Sequence, residues 1–321
     1  MTKIDVFSGF LGAGKTTLIK KLLKEAFAGE KVVLIENEFG EIGIDGGFLK
    51  EAGVEITEMN SGCICCSLVG DFEKALEQVL SRFSPDRILI EPSGVGKLSD
   101  VVNAVRGVLS ETVTLGSLVT VADASKCKIY MKNFGEFYNN QIEYAQTVIL
   151  SRTDGMNESK LEQAVELVRE HNSEAVIITT PWEQLDGKQI LCAMESQHTL
   201  QQELENLASQ LHHEHHHADD CHCHEHEHHH ADEVFSTFGK ETAKLFTKQS
   251  LEQMLTSLDS SQYGIVLRAK GIVASEGGKW LHFDYVPQEI QIREGGADII
   301  GRLCVIGSKL NEDALSELFG V

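Results

Sequence analysis

The chain has 321 residues, 42% of them hydrophobic and 24% charged, with only 4 prolines, a globular composition with room for two cores. Asp and Glu outnumber Lys and Arg by 49 to 28, for a formal charge of −21; that field repels phosphate backbones and anionic lipid, argues against nucleic-acid or membrane partners, and tolerates cationic metals. No run reaches transmembrane length, the start MTKIDVFSGF lacks the apolar core of a signal peptide, and 8 cysteines in a chain read as cytoplasmic point to thiol ligands or redox chemistry, not disulfides.

The first elements are a strand and a helix around a glycine-rich loop. Ile4 and Val6 alternate with Asp5 and Phe7, and Leu18, Leu22, Leu23 and Phe27 recur at helical spacing. Between them, Gly9-Phe-Leu-Gly12-Ala13-Gly14-Lys15-Thr16-Thr17 matches G-x-x-x-x-G-K-[ST] in full. Glycines let backbone N–H groups curl around a phosphate, and the helix N-terminus adds its positive end. Lys15 is expected to reach the β- and γ-phosphates, and the Thr16 hydroxyl to ligate Mg²⁺.

Strand-like runs follow at 31–36, 53–59, 86–92, 117–123, 147–151 and 175–180, with helical patterns between them at 71–83 and 158–171. This alternation predicts an α/β fold, a mostly parallel sheet with helices on both faces and ligands at the carboxyl ends of its strands. On that rule four loops gain interest. Glu36, Glu38 and Glu41 in IENEFGEIGID fall where a nucleotide-sensing switch loop belongs. In NSGCICCSL, Cys63, Cys65 and Cys66 are spaced so that three thiolates converge on one soft cation; Zn²⁺ suits them well, and Co²⁺, Ni²⁺ and Cu⁺ also bind thiolates. RILIEPSGVG ends a strand with Glu91, placed to meet a Mg²⁺ shell or the attacking water, while Gly94 offers an N–H to a γ-phosphate. VILSRTD occupies the place of a guanine-reading N-K-x-D loop, with Ser151 and Arg152 replacing Asn and Lys. Asp154 there accepts from N1–H and the exocyclic amine of guanine, a donor pair adenine lacks; the competing reading is a helix-capping Asp.

HHEHHHADDCHCHEHEHHH, residues 212–230, holds eleven of the 14 histidines, Cys221 and Cys223 flanking His222, and no apolar residue larger than alanine. Such a segment cannot build a core and is expected to be a disordered multi-site metal trap between domains. Beyond it, a helix pattern at 247–258, strand patterns at 263–275, 279–287, 289–294 and 301–310, and a closing helix at 311–320 read as a small α+β unit. Arg268 and Lys270 are expected at a solvated edge or facing another protein surface; Cys127, Cys192 and Cys304 are expected to be packing residues. The domains expected are therefore 1–211, a linker at 212–233, and 234–321.

GFLGAGKTT, IENEFGEIGID, GCICC and ILIEPSG together resemble the CobW-like GTPases, the cobalamin-synthesis-protein and zinc-chaperone family, and IVLRAKGIV resembles that family's small C-terminal domain. The resemblance implies a P-loop GTPase that holds a metal at Cys63, Cys65 and Cys66, with Glu36 and Glu41 in metal or switch roles. It also implies delivery of that metal to a client metalloprotein under GTP control; nucleotide-dependent homodimers fit the same picture. Two other functions remain open: a metal buffer in which the His-rich linker acts, and a P-loop kinase of a small metabolite in which the cysteines are structural.

Overall fold

The computed structural model describes residues 1–36, 69–195, 236–276 and 278–321. It divides into two compact units, residues 1–197 and 198–321. In the first, β1 (Thr2–Ser8), β2 (Val32–Glu36), β3 (Arg87–Glu91), β4 (Val113–Asp123), β5 (Thr147–Ser151) and β6 (Val176–Ile178) form one sheet in the order β2-β3-β1-β4-β5-β6. Every pairing in it is parallel. The helices are α1 (Lys15–Glu25), α2 (Val69–Phe83), α3 (Leu98–Arg106), α4 (Cys127–Glu143), α5 (Glu158–His171) and α6 (Gly187–Glu195).

Burial explains the strand sequences. Val32 to Ile35, Ile88 to Ile90 and Val148 to Leu150 are all buried, as continuous apolar runs should be in a sheet covered on both sides. Leu18, Ile19, Leu22 and Leu23 form the inward stripe of α1; truncating one to Ala should cost about 2–5 kcal/mol. The chain crosses from one side of β1 to the other, since β2 and β3 lie on one flank and β4 to β6 on the other. Such a switch point opens a crevice above the carboxyl end of β1, where the glycine-rich loop begins.

The amino end of the sheet carries an ion network built around a buried Arg87–Asp5 pair. Arg87, at the start of β3, binds Asp5, Glu30 and Glu195, and Lys3 also reaches Glu195 at 3.0 Å. Its guanidinium lies over the Phe27 ring, 4.5 Å from the centroid. Asp5 Oδ1 accepts from the Ser117 N–H at 2.6 Å. That contact sits where the β1–β4 register shifts, between Ile4 and Val6; a side chain at Gly116 would collide with the Asp5 carboxylate.

The second unit is an antiparallel sheet of β7 (Ser236–Thr242), β8 (Ile265–Ala274), β9 (Trp280–Val286), β10 (Glu289–Gly295) and β11 (Gly301–Ser308), in the order β10-β9-β8-β11-β7. Two helices, α7 (Lys248–Ser257) and α8 (Glu312–Phe319), share its core, with Leu251, Leu255, Phe283, Tyr285, Val305, Leu315 and Phe319 buried together. The edge reading for Arg268 and Lys270 needs correcting: β8 is an inner strand, and both cations pair with Asp284 of β9, at 3.2 and 3.3 Å. Cys127 and Cys304 are buried as expected, whereas Cys192 is exposed on α6.

Candidate functional site

The loop from Gly9 to Gly14 joins β1 to α1, and its backbone explains its glycines. Gly9 has φ 141°, and a side chain there would drive into the Val121 carbonyl of β4. Gly14 enters α1 from the left-handed region, with φ 105° and no side-chain cap on the helix. The first N–H groups of α1 are thus left for a ligand, as an anion cradle requires. Ala13 is buried and its N–H donates to Phe10 O at 3.2 Å; Gly12 and Thr17 face solvent.

Lys15 is buried, and its ammonium donates to Gly9 O at 3.0 Å. Burial pulls the Lys15 pKa below the usual lysine range, while the Glu91 charge pulls it back up. A buried cation with one carbonyl partner is a strong attractor for phosphate oxygens. Thr16 Oγ1 donates to the Glu91 carboxylate, 2.9 Å from one oxygen and 3.1 Å from the other. A hydroxyl and a carboxylate so joined are hard oxygen ligands of the kind Mg²⁺ takes beside a triphosphate, so the donor set fits that ion.

Three other loops close on the glycine-rich one. After β3, Gly94 lies so near that a Cβ would stand 2.8 Å from the Leu11 backbone nitrogen. After β5, Arg152 adopts φ 59°, uncommon for a side-chain-bearing residue. It is held there by Gly12 O at 2.9 Å and by the buried Asp123 carboxylate at 3.2 Å. After β6, the Trp182 ring packs against Gly14, 3.0 Å from where a Cβ would be. Ser8 Oγ, Thr153 Oγ1 and Gln141 Oε1 are buried here without a hydrogen-bond partner among the described residues.

The structure therefore brings together Gly9, Gly12, Ala13, Gly14, Lys15, Thr16, Thr17, Glu91 and Gly94, and sets Asp154 exposed beside Arg152 at the crevice. The capping alternative for Asp154 falls away, because Asn157 caps α5 by accepting from the Ser159 N–H. Glu36 ends β2 in register with Glu91. Glu38, Glu41, Cys63, Cys65, Cys66, Cys221, His222 and Cys223 lie outside the described residues, and among the described residues no three His, Cys, Asp or Glu side chains group as a metal site. Asp123, Gln141 and Trp182 escaped the sequence reading. Asp123 carried a usable signal, a polar residue closing an apolar strand at the ligand end of the sheet; the other two had none.

Comparison with known proteins agrees with this layout. The family described as CobW/HypB/UreG, nucleotide-binding domain, matches residues 3–179, and the cobalamin synthesis protein cobW C-terminal domain matches residues 235–320. A Sinorhizobium protein named zinc chaperone CobW is 34% identical over 187 residues, covering 49% of this chain and 52% of its own. Zinc chaperone YjiA of Escherichia coli is 30% identical over 190 residues, covering 57% and 58%. The chain thus matches little more than half the length of these relatives. The crystal structure of Zn(II)-bound YjiA GTPase from E. coli aligns over 99% of this chain and 98% of that one, at 20% identity and a TM-score of 0.43.

Proposed function

The chain belongs to the CobW family of nucleotide-binding proteins, and from that premise we propose that it is a GTP-hydrolysing metallochaperone, binding a transition metal and delivering it to a client metalloprotein under nucleotide control. The observation that carries the reading is the Thr16–Glu91 hydrogen bond next to the buried Lys15. It joins the phosphate-binding loop to the strand end that faces the reacting phosphate. Lys15 supplies positive charge to the β- and γ-oxygens, Gly94 an N–H toward the γ-phosphate, and Asp154 the acceptor for guanine. Thr16 and Glu91 would hold Mg²⁺, which neutralises charge on the leaving phosphate. Arg152 ties the base-reading loop to Gly12, so the replaced Asn-Lys pair retains a link between base and phosphate sites.

The cargo is Zn²⁺, held by Cys63, Cys65 and Cys66; Co²⁺ and Ni²⁺ suit the same thiolates less selectively. Support for coupling comes from Glu36. It stands beside Glu91 on the neighbouring strand and opens the segment that bears Glu41 and the cysteines. A γ-phosphate that moves the Glu91–Gly94 loop therefore acts on the first residue of that segment. Residues 221–223 in the His-rich stretch raise the local metal supply. The setting is cytoplasmic, and the names of the zinc-chaperone relatives favour zinc over the other ions.

The test is to measure phosphate release from GTP, and Zn²⁺ affinity with GDP and with a non-hydrolysable GTP analogue. Free phosphate and unequal zinc affinities are expected. Equal affinities would end the coupling; a phosphorylated metabolite in place of free phosphate would make the protein a kinase. Loss of all tight zinc on deleting 212–230 would make it a buffer.

A further inference from the structure

Helix α4 touches both loops that face the phosphates. At one end of the contact, Phe10 of the glycine-rich loop packs on Tyr130, Phe134 and Tyr138, at centroid distances of 4.7, 5.1 and 5.9 Å. At the other, Gln141, fully buried, sends its Nε2 to Gly94 O at 3.1 Å and to Gly96 O at 2.8 Å. Two carbonyl acceptors fix the amide's orientation, because only the NH₂ end can donate to them. The same stretch is closed by the Gly96 N–H donating to Ser93 O at 3.0 Å. Next to it, Asn140 Oδ1 accepts from the Ser99 N–H at 3.2 Å and its Nδ2 donates to Ser99 Oγ at 3.1 Å. The loop from Ser93 to Ser99 is thus pinned on both sides of Gly96 by two consecutive residues of α4.

We propose that Gln141 is a positioning residue that sets the Gly94 loop for the γ-phosphate, with Asn140 anchoring the far side of the same loop. This rests on the reading of the crevice as a guanine-nucleotide site. The residue type is the argument. A dry pocket facing two carbonyls needs two N–H donors without charge. Lys or Arg would bury an unpaired cation, Asn is a methylene too short, and a carboxylate would repel both acceptors. The second half of the amide is left over: Gln141 Oε1 accepts nothing among the described residues. A side chain chosen only to fill space would not carry an acceptor that cannot be satisfied. Because Phe10 packs against the same helix that carries Gln141, the two loops share one support, and the Gly94 loop answers the triphosphate from a defined starting position.

A structural role alone would affect all nucleotides alike, whereas a role at the γ-phosphate separates triphosphate from diphosphate. Affinities for GDP and for a non-hydrolysable GTP analogue, both with Mg²⁺, should be measured for the full chain and for Gln141→Leu, which keeps the volume and loses both donors. The analogue should weaken about tenfold, as expected for two neutral hydrogen bonds, with GDP within about twofold. Asn140→Ala should shift the same ratio by about threefold, and Asn140→Asp, which keeps the acceptor for Ser99, should restore it. Equal weakening of both nucleotides, or no change in either, overturns the role. If Gln141→Leu fails to fold, an unchanged ratio in Asn140→Ala overturns it instead. Wild-type protein that binds neither nucleotide removes the guanine-site reading and this role with it; wild-type binding with unaltered variants removes the role alone.

Discussion

Strand β3 begins at Arg87 and ends at Glu91, and the two ends of this one strand sit in opposite kinds of surroundings. At the amino end, Arg87 spends its guanidinium on three carboxylates and the Phe27 ring. At the carboxyl end, Lys15 has a single carbonyl partner, the α1 N-terminus has no side-chain cap, and Ser8 Oγ, Thr153 Oγ1 and Gln141 Oε1 are buried without partners among the described residues. A buried charge with all its bonds made holds the fold together. One with bonds still to make holds a place for something else. The contrast teaches that burial of polar groups does not mark a site by itself; incomplete satisfaction does.

That contrast can be broken by removing either cation. Arg87→Met should destabilise the first unit by about 3–5 kcal/mol, because Asp5 stays buried without its counter-ion. Denaturant unfolding measures it, and the protein that remains folded should bind nucleotide normally. Lys15→Ala should do the reverse, leaving the unfolding midpoint unchanged or raised while weakening a GTP analogue by about 100-fold. A Lys15→Ala protein that unfolds as readily as Arg87→Met would erase the distinction between the two ends.

Finer changes sharpen it. Asp154→Ala should cut the preference for guanine over adenine nucleotides by about 10–100-fold in competition binding, with phosphate contacts intact. The smallest effect concerns pH. Burial raises the Glu195 carboxyl, but hydrogen bonds from Lys3 and Arg87 outweigh it and hold the group below the ordinary value of 4.5. Its stabilisation is therefore present above pH 4.5 and lost as pH falls through the lowered range. Thermal melts across that window should lose this increment in Glu195→Gln. The loss should be about 1 kcal/mol or less, since the group is partly exposed.

The sequence shows the satisfied and unsatisfied ends unequally. Apolar strand runs were legible because a parallel sheet buries both faces, so 147–151 and the helix at 158–171 stand where periodicity put them. The glycine-rich loop was legible because its chemistry is local: eight consecutive residues make one cradle. Helix α4 was not singled out, since its aromatic residues, Gly135 and a break in helical geometry at Phe134 blur the pattern. Strand β7 was missed because STFGKET is mostly polar and only Phe238 and Thr242 are deeply buried. Gln141, Trp182 and the Asp5–Arg87 pair were invisible for another reason. Each depends on partners tens of residues away, and no spacing rule along the chain reports them.

The chain has two tryptophans, and the fold gives one to each unit: Trp182 against Gly14, Trp280 buried in β9. Intrinsic fluorescence is therefore already divided between the halves of the molecule. Trp182→Phe silences the half beside the phosphate cradle and leaves an emission that follows melting of the C-terminal sheet alone. Trp280→Phe does the opposite and leaves an optical readout of nucleotide arrival that needs no dye.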